Sequence, residues 1–301
     1  MPGAEPASAL ERCCLLEEIE LAGQRAAHVS FGGRGPRLHF YHANGYPPGL
    51  YAPLLKRLAA SFEVDALALR AMWPGMAPPP PSLRWMTYAD DLIAYLDDQR
   101  ARGATGPVLG VGHSMGATST LIAAVKRPDL FSALVLIEPA AVPRYLSIWD
   151  TILPYGPRRF FMQPGKRTLE RRDRWESRAA FLAPCRQWKS LSGLDDEAFA
   201  AFGEHYVQDR PDGGVELAFP KAWEAHNFFC PRSLWHDLAR VGCPVTALRG
   251  EESVFFSAAM WRKWKRMRPQ DTIHELPGYG HLLPMEAPEQ CARIIQRVAL
   301  A

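Results

Sequence analysis

Short apolar runs and helical periodicities alternate along this chain, stop near Pro139 and resume after Phe229, and that interrupted alternation restricts the fold more than any other feature. Residues 38–42, 63–69, 107–112 and 131–138 read as strands; 51–60, 85–100 and 114–126 carry helical spacing between them. The pattern returns as helix 233–240, strand 244–248, helix 258–267, strand 272–276 and helix 288–298. Near-continuous apolar strands such as 131–138 must be buried on both faces, which calls for a mostly parallel sheet covered by helices on each side. Ahead of them, 15–20 and 25–31 alternate apolar and polar around Ala22-Gly23 and read as a hairpin. The prolines of 72–81 forbid both helix and ladder there. Between 139 and 229 lie aromatic-rich, helix-prone pieces broken by Pro and Gly, with no convincing buried strand. Because the second half resumes the first pattern, the 301 residues are read as one α/β domain, 1–140 and 230–301, interrupted by a helical insertion at 141–229.

Composition serves mainly to exclude. The 35 Lys+Arg against 32 Asp+Glu leave a net charge of +3, too little to argue for a nucleic-acid partner. No run approaches the roughly 18 apolar residues of a membrane span. Residues 1–20 carry acidic side chains where a signal peptide needs a basic start and an unbroken apolar stretch, so a cytoplasmic monomer or homodimer is expected. The six cysteines, Cys13 and Cys14 adjacent among them, show neither C-x-x-C nor metal-ligand spacing. They read as reduced thiols, with no metal or cofactor expected.

Gly112-His113-Ser114-Met115-Gly116 stands between strand 107–112 and helix 114–126 and matches G-x-S-x-G. A serine hydroxyl reaches substrate only if it projects from a sharp strand-to-helix turn, and glycines two residues to either side relieve the crowding where strand and helix meet. The helix that begins there points free N–H groups and its positive dipole end at developing negative charge. The overlapping Gly110-x-Gly112 suggests a dinucleotide loop, but the third glycine falls one place late and the motif lies in mid-chain. A nucleophilic serine needs a base. His281, in Gly278-Tyr279-Gly280-His281-Leu282-Leu283-Pro284, follows the last predicted strand and precedes the last helix, where a loop presents an imidazole over a sheet edge. His28, His39, His205, His226, His236 and His274 lack such a setting.

With these motifs in place the chain resembles the α/β-hydrolase superfamily, in its lid-bearing serine esterase and lipase-like branch. The resemblance rests on His42-Ala43-Asn44-Gly45-Tyr46-Pro47, the GHSMG elbow, the strand end LVLIEPA, PVTALRGEES at 244–253 and GYGHLLPMEAPE at 278–289; it covers nearly all of the chain outside 141–229. It implies a mostly parallel sheet of about eight strands flanked by helices, with 141–229 as a helical cap over the active site. It also implies an oxyanion hole built from the N–H of Met115 and a second N–H from Asn44 or its neighbour Ala43. The usual His-Gly is here His42-Ala43 followed by an extra Gly45, which leaves both residues open.

The triad acid is the departure. Most of the family places an Asp after the strand 245–249, three residues beyond its glycine; here Gly250-Glu251-Glu252-Ser253 puts Ser253 there, and a serine cannot stabilise an imidazolium as a carboxylate does. Glu138, which ends strand 131–138 at the catalytic edge, is the first choice. Relatives that include a group of haloalkane dehalogenases take their acid from this site, and a Glu finishing an apolar run needs a partner. Glu252 and Glu251 are the alternatives.

Substrate is less legible. Residues 158–189 hold ten basic side chains against three acidic, which reads as attraction for an anionic substrate or membrane, or else as a solvated helix face. The second is favoured because Asp195, Asp196 and Glu197 offset the charge. Tyr145, Trp149, Tyr155, Phe160, Phe161, Trp175, Phe181 and Trp188 suit an apolar pocket wall and the insertion's own core equally. His113, Trp73, Tyr46, Trp149 and Leu282 are the candidate pocket residues. The expected activity is a serine hydrolase cleaving a small, apolar or aromatic carboxylic ester through an acyl-Ser114 intermediate. A carbon–carbon bond hydrolase, thioesterase or lactonase on the same triad, or a non-catalytic ligand-binding member of the fold, are the alternatives.

Overall fold

A computed structural model of the chain describes residues 16–143 and 155–298. In chain order its strands are β1 (Glu17–Leu21), β2 (Gln24–Gly32), β3 (Arg37–Tyr41), β4 (Glu63–Leu67), β5 (Val108–His113), β6 (Phe131–Ile137), β7 (Arg174–Trp175), β8 (Val207–Asp209), β9 (Val215–Leu217), β10 (Val245–Gly250) and β11 (Thr272–Leu276). Eight of them form one sheet in the order β1-β2-β4-β3-β5-β6-β10-β11. The expected hairpin β1–β2 is antiparallel and turns through Ala22 (φ 48°) and Gly23 (φ 77°), both left-handed as a two-residue turn between twisted strands requires. β2 runs antiparallel to β4, and every pairing from β4 to β11 is parallel.

β5 and β10 are buried along their length and β6 at every position but Ser132 and Ala133, as their apolar sequences demand, and each face of the sheet carries its own core. Helices Trp85–Ala101 and Met115–Lys126 pack Tyr88, Leu92, Leu121 and Ile122 on one face; Ala52–Leu58 and Pro288–Val298 pack Leu54, Leu55, Leu58 and Ile295 on the other. Two helices differ from the sequence reading. The one expected over 233–240 is a single turn, Trp235–Leu238, and a further turn at Leu283–Glu286 follows His281. No helix among the described residues is long and apolar enough to cross a membrane.

Between β6 and β10 the described residues form helices that include Gln163–Glu170, Asp196–His205 and Lys221–Phe229, as expected, but also a small antiparallel sheet in the order β7-β9-β8, which was not. Strands of two or three residues are too short to display an alternation. Of the ten basic side chains of that segment, five are held in the local pairs Arg171–Glu224, Arg172–Glu176, Arg174–Glu216, Arg178–Asp209 and Arg186–Asp196. Trp175 and Phe181 join Phe202 and Tyr206 in an aromatic core internal to this segment, with ring centroids 4.6–5.8 Å apart. Tyr145 and Trp149 lie outside the described residues.

Because the parallel strands all point the same way, the chain leaves β3, β5, β6, β10 and β11 at one edge of the sheet. Those exits lead directly into 42–48, Ser114, Glu138, 251–256 and the loop to His281. Register keeps them level: Tyr41 pairs with Gly112, His113 with Ile137, Ile137 with Leu248, and Gly250 with Leu276.

Candidate active site

Ser114 sits between β5 and its helix at φ 55°, ψ −118°, a strained conformation that aims its side chain away from both elements. The flanking glycines make that turn possible. A Cβ on Gly112 would lie 2.6 Å from the backbone of Ala117, and one on Gly116 would lie 2.1 Å from the Tyr41 carbonyl oxygen and 2.4 Å from that of His42. The second contact also seats the elbow directly against the loop that follows β3.

His281 Nε2 lies 3.0 Å from Ser114 Oγ, and its Nδ1 lies 3.1 Å from Glu138 Oε2. Glu138 is wholly buried and has a left-handed φ of 47°, uncommon for a residue with a side chain. Its carboxyl oxygens gather donors: the Gly250 N–H to Oε1 at 2.6 Å, and the Ser253 hydroxyl to the same Oε2 that faces His281. Burial pushes the Glu138 carboxyl up to about 8 against the pull of Ser253, Gly250 and Arg249, and pushes the imidazole of His281 down to about 4. The resting imidazole is therefore a neutral base. Its Nε2 can take a proton from Ser114 while a carboxylate at 138 holds the Nδ1 proton.

Of the other acids named from sequence, Glu251 accepts a hydrogen bond from Gly278 N–H at 3.3 Å, and Glu252 engages the Tyr279 carbonyl only through its own backbone N–H. Neither carboxylate is brought to His281; Glu138 is.

The loop 42–48 is fixed from several sides. His42 accepts from Leu69 N–H through Nε2 (2.8 Å), so its Nδ1 donates to the Ala43 carbonyl (2.9 Å), and burial keeps the ring neutral by lowering its pKa to about 4. Gly45 has φ 81°, and a Cβ there would strike the Glu224 carboxylate. The Asn44 side chain donates to the Glu224 carbonyl (3.0 Å) and accepts from Asn227 Nδ2 (2.8 Å), both on the helix Lys221–Phe229. The two candidates for the second oxyanion donor differ in their partners. Ala43 N–H is taken by Tyr51 Oη at 3.2 Å, whereas among the described residues the N–H groups of Asn44 and Met115 have no partner in the hydrogen-bond network.

The pocket residues scatter more. His113 is not a pocket wall: it is fully buried beneath the site, with Nε2 2.8 Å from the His281 carbonyl and Nδ1 2.8 Å from Tyr51 Oη. Trp73 is also buried and donates to the Ala68 carbonyl at 2.7 Å. Leu282 is buried beside the base, and Tyr46 packs on Tyr206 with ring centroids 6.0 Å apart. Sequence reasoning missed Phe255, whose half-exposed ring lies 4.4 Å from the His281 imidazole, and Tyr51. Only the position of Phe255 in the loop after β10 hinted at it.

The family model described as "Alpha/beta hydrolase family" matches residues 32–294. A 2-(acetamidomethylene)succinate hydrolase from Mesorhizobium japonicum is 27% identical over 274 residues, 89% of this chain and 89% of that protein. A solved structure of E-2-(acetamidomethylene)succinate hydrolase superposes with a TM-score of 0.76 at 24% identity, covering 95% of this chain and 99% of that one. A thioesterase domain from the curacin biosynthetic pathway gives 0.68 at 19% identity, covering 93% and 98%. At these identities the two solved structures bear on the fold alone.

Proposed function

The chain belongs to the alpha/beta hydrolase family, and from that premise we propose that it is a serine hydrolase that cleaves a carboxylic ester through an acyl-Ser114 intermediate. The observation that carries this reading is the unbroken line of contacts from Ser114 Oγ to His281 Nε2 (3.0 Å) and from His281 Nδ1 to Glu138 Oε2 (3.1 Å). In the proposed reaction Ser114 Oγ attacks the carbonyl carbon as its proton passes to His281 Nε2. The N–H groups of Met115 and Asn44 hold the oxyanion, and Glu138 stabilises the imidazolium through its Nδ1 proton. Collapse of the tetrahedral intermediate breaks the carbon–oxygen bond as His281 protonates the departing alcohol. A water that gives its proton to His281 then attacks the acyl carbon, and Ser114 leaves with that proton.

The insertion 141–229 serves in this reading as a cap, because the helix Lys221–Phe229 fastens the loop 42–48 and Asp196–His205 packs on Ala52–Leu58, where Arg57 and Glu197 pair at 2.7 Å. Phe255, with the exposed Val254 next to it, supports an apolar group on the substrate. A second reading, cleavage of an amide, is favoured by the relative in Mesorhizobium japonicum, whose named substrate carries an acetamido group.

Covalent labelling by a fluorophosphonate, abolished by Ser114→Ala, tests the nucleophile. Turnover of p-nitrophenyl acetate set against an N-acyl enamide separates ester from amide. Absence of labelling would defeat the enzyme reading and leave a ligand-binding protein on this fold.

A further inference from the structure

We propose that Ser253 is a positioning residue that keeps Glu138 in its ionised, acceptor form and aims Oε2 at His281. The inference rests on Glu138 being the partner of His281. Ser253 is buried, and its hydroxyl donates to Glu138 Oε2, the same oxygen that lies 3.1 Å from His281 Nδ1. The serine oxygen is itself held by Phe256 N–H at 3.1 Å, and the Ser253 N–H is held by the Gly250 carbonyl at 3.1 Å. With its lone pair engaged by Phe256, the hydroxyl has its proton free for the carboxylate, so it acts as a donor. A protonated Glu138 would have to compete with that proton, and a carboxylate does not.

The consequence follows from tautomers. If Glu138 carried a proton and donated it to Nδ1, His281 would keep its own proton on Nε2, facing Ser114, and could not act as the base. An acceptor-only carboxylate forces the opposite tautomer. The charged and titratable groups around the pair are Arg249 from β10, which lowers the Glu138 pKa; Glu286 from the turn Leu283–Glu286, which faces the same region and accepts from Gly280 N–H at 3.0 Å; Glu252; and His113 from β5, neutral through burial. Among the described residues Ser253 and Gly250 are the hydrogen-bond donors besides His281 on the carboxylate, and Gly250 acts on the other oxygen.

The test measures the rate of Ser114 labelling by a fluorophosphonate between pH 5 and 9.5, which requires no knowledge of the natural substrate. Ser253→Ala is expected to move the acid limb upward by about one pH unit, the shift that one such hydrogen bond supplies. Labelling should fall about tenfold at pH 7 and recover at pH 9.5. Ser253→Thr, which keeps the hydroxyl, should label like the parent, and Ser253→Cys, a weaker donor of similar size, replaces the alanine variant if that does not fold. A loss that is equal at pH 7 and 9.5 would mark a structural role and overturn the proposal, as would an unmoved limb. Glu138→Gln separates the premise from the inference: labelling near the parent rate removes Glu138 as the acid, whereas a large loss with an unmoved Ser253→Ala profile refutes only the role of Ser253. Because Ser253 Oγ reaches the oxygen that faces the imidazole, Ser253→Asp added to Glu138→Gln should regain at least tenfold over Glu138→Gln alone; no gain counts against the placement.

Discussion

Tyr51→Phe deletes one buried oxygen that serves two partners. Tyr51 Oη lies 2.8 Å from His113 Nδ1 and 3.2 Å from the Ala43 nitrogen, and all three residues are sealed from solvent. Burial holds His113 neutral, and its Nε2 faces the His281 carbonyl, which can only accept. Nε2 therefore carries the ring proton and Nδ1 is the acceptor, so the phenol donates to His113 while its oxygen accepts from Ala43. The substitution leaves a donor and an acceptor unpaired in the interior. Each costs about 1–3 kcal/mol, and with partial relaxation the expected loss of stability is about 2–4 kcal/mol. Packing is not the cause, because the ring that lies 4.7 Å from Phe40 is retained. Function should suffer as well. The two contacts tie the residue before Asn44 to His113 of the elbow strand, whose other ring nitrogen holds the His281 carbonyl, and a displacement of about 1 Å in such groups costs on the order of 100-fold in rate. Urea unfolding followed by tryptophan fluorescence reads the first effect, and the rate of Ser114 labelling reads the second. A stability loss under about 0.5 kcal/mol together with unchanged labelling would show that the network holds neither loop.

Two further outcomes are expected. The competent state needs a neutral imidazole and an ionised Glu138; since burial lowers His281 to about 4 and raises Glu138 to about 8, kcat/KM should climb with pH through the neutral range, with its acid limb above the 6.5 of an ordinary histidine. A plateau already reached below pH 6 would contradict this. Gly116→Ala places a Cβ 2.1 Å from the Tyr41 carbonyl oxygen, a backbone atom of a central strand, and should cost more than about 3 kcal/mol in thermal or urea unfolding, while Gly242→Ala, which meets nothing within 4 Å, stays within about 0.5 kcal/mol.

What was legible in the sequence follows from the range over which each signal acts. The strands β5 and β6 announce themselves because nearly all of their residues are apolar or small, as burial of all six positions in β5 and of five of the seven in β6 demands, and the helices Ala258–Met267 and Pro288–Val298 because their periodicity spans about three turns. The elbow is equally local: strand, Gly-x-Ser-x-Gly and helix lie within some twenty residues. Glu138 and His281 could be proposed because chain order fixes which strand ends share an edge. Tyr51, Ser253 and Phe255 could not be assigned, because their roles arise from atoms brought together across 26 (255 to 281), 62 (51 to 113) and 115 (138 to 253) positions of sequence. The strands β7, β8 and β9 fell below the length at which alternation exists. His113 is a candidate pocket residue by sequence, yet it is buried beneath the site, because strand alternation and the sharp turn at Ser114 send neighbouring side chains in different directions.

The absence of an aspartate after β10 does not by itself argue for lost turnover, and the sheet explains why. β6 and β10 are adjacent, and Ile137 pairs with Leu248, so the two chain exits leave the edge side by side. A side chain from either exit can reach an imidazole presented over that edge from beyond β11. Glu138 does so from a left-handed backbone, φ 47°, and its N–H is returned to the Leu248 carbonyl at 2.8 Å, which fixes the turn. Its carboxylate then lies against the start of the neighbouring exit, with Gly250 N–H on one oxygen and the Ser253 hydroxyl on the other. With Glu138 as the proposed acid, the loop after β10 supplies donors for a charge that stands next door. In that reading a small, hydroxyl-bearing residue suits position 253, where a carboxylate would set two negative groups on one buried site. Serine at that position fits the acid proposed at 138, to which its hydroxyl donates.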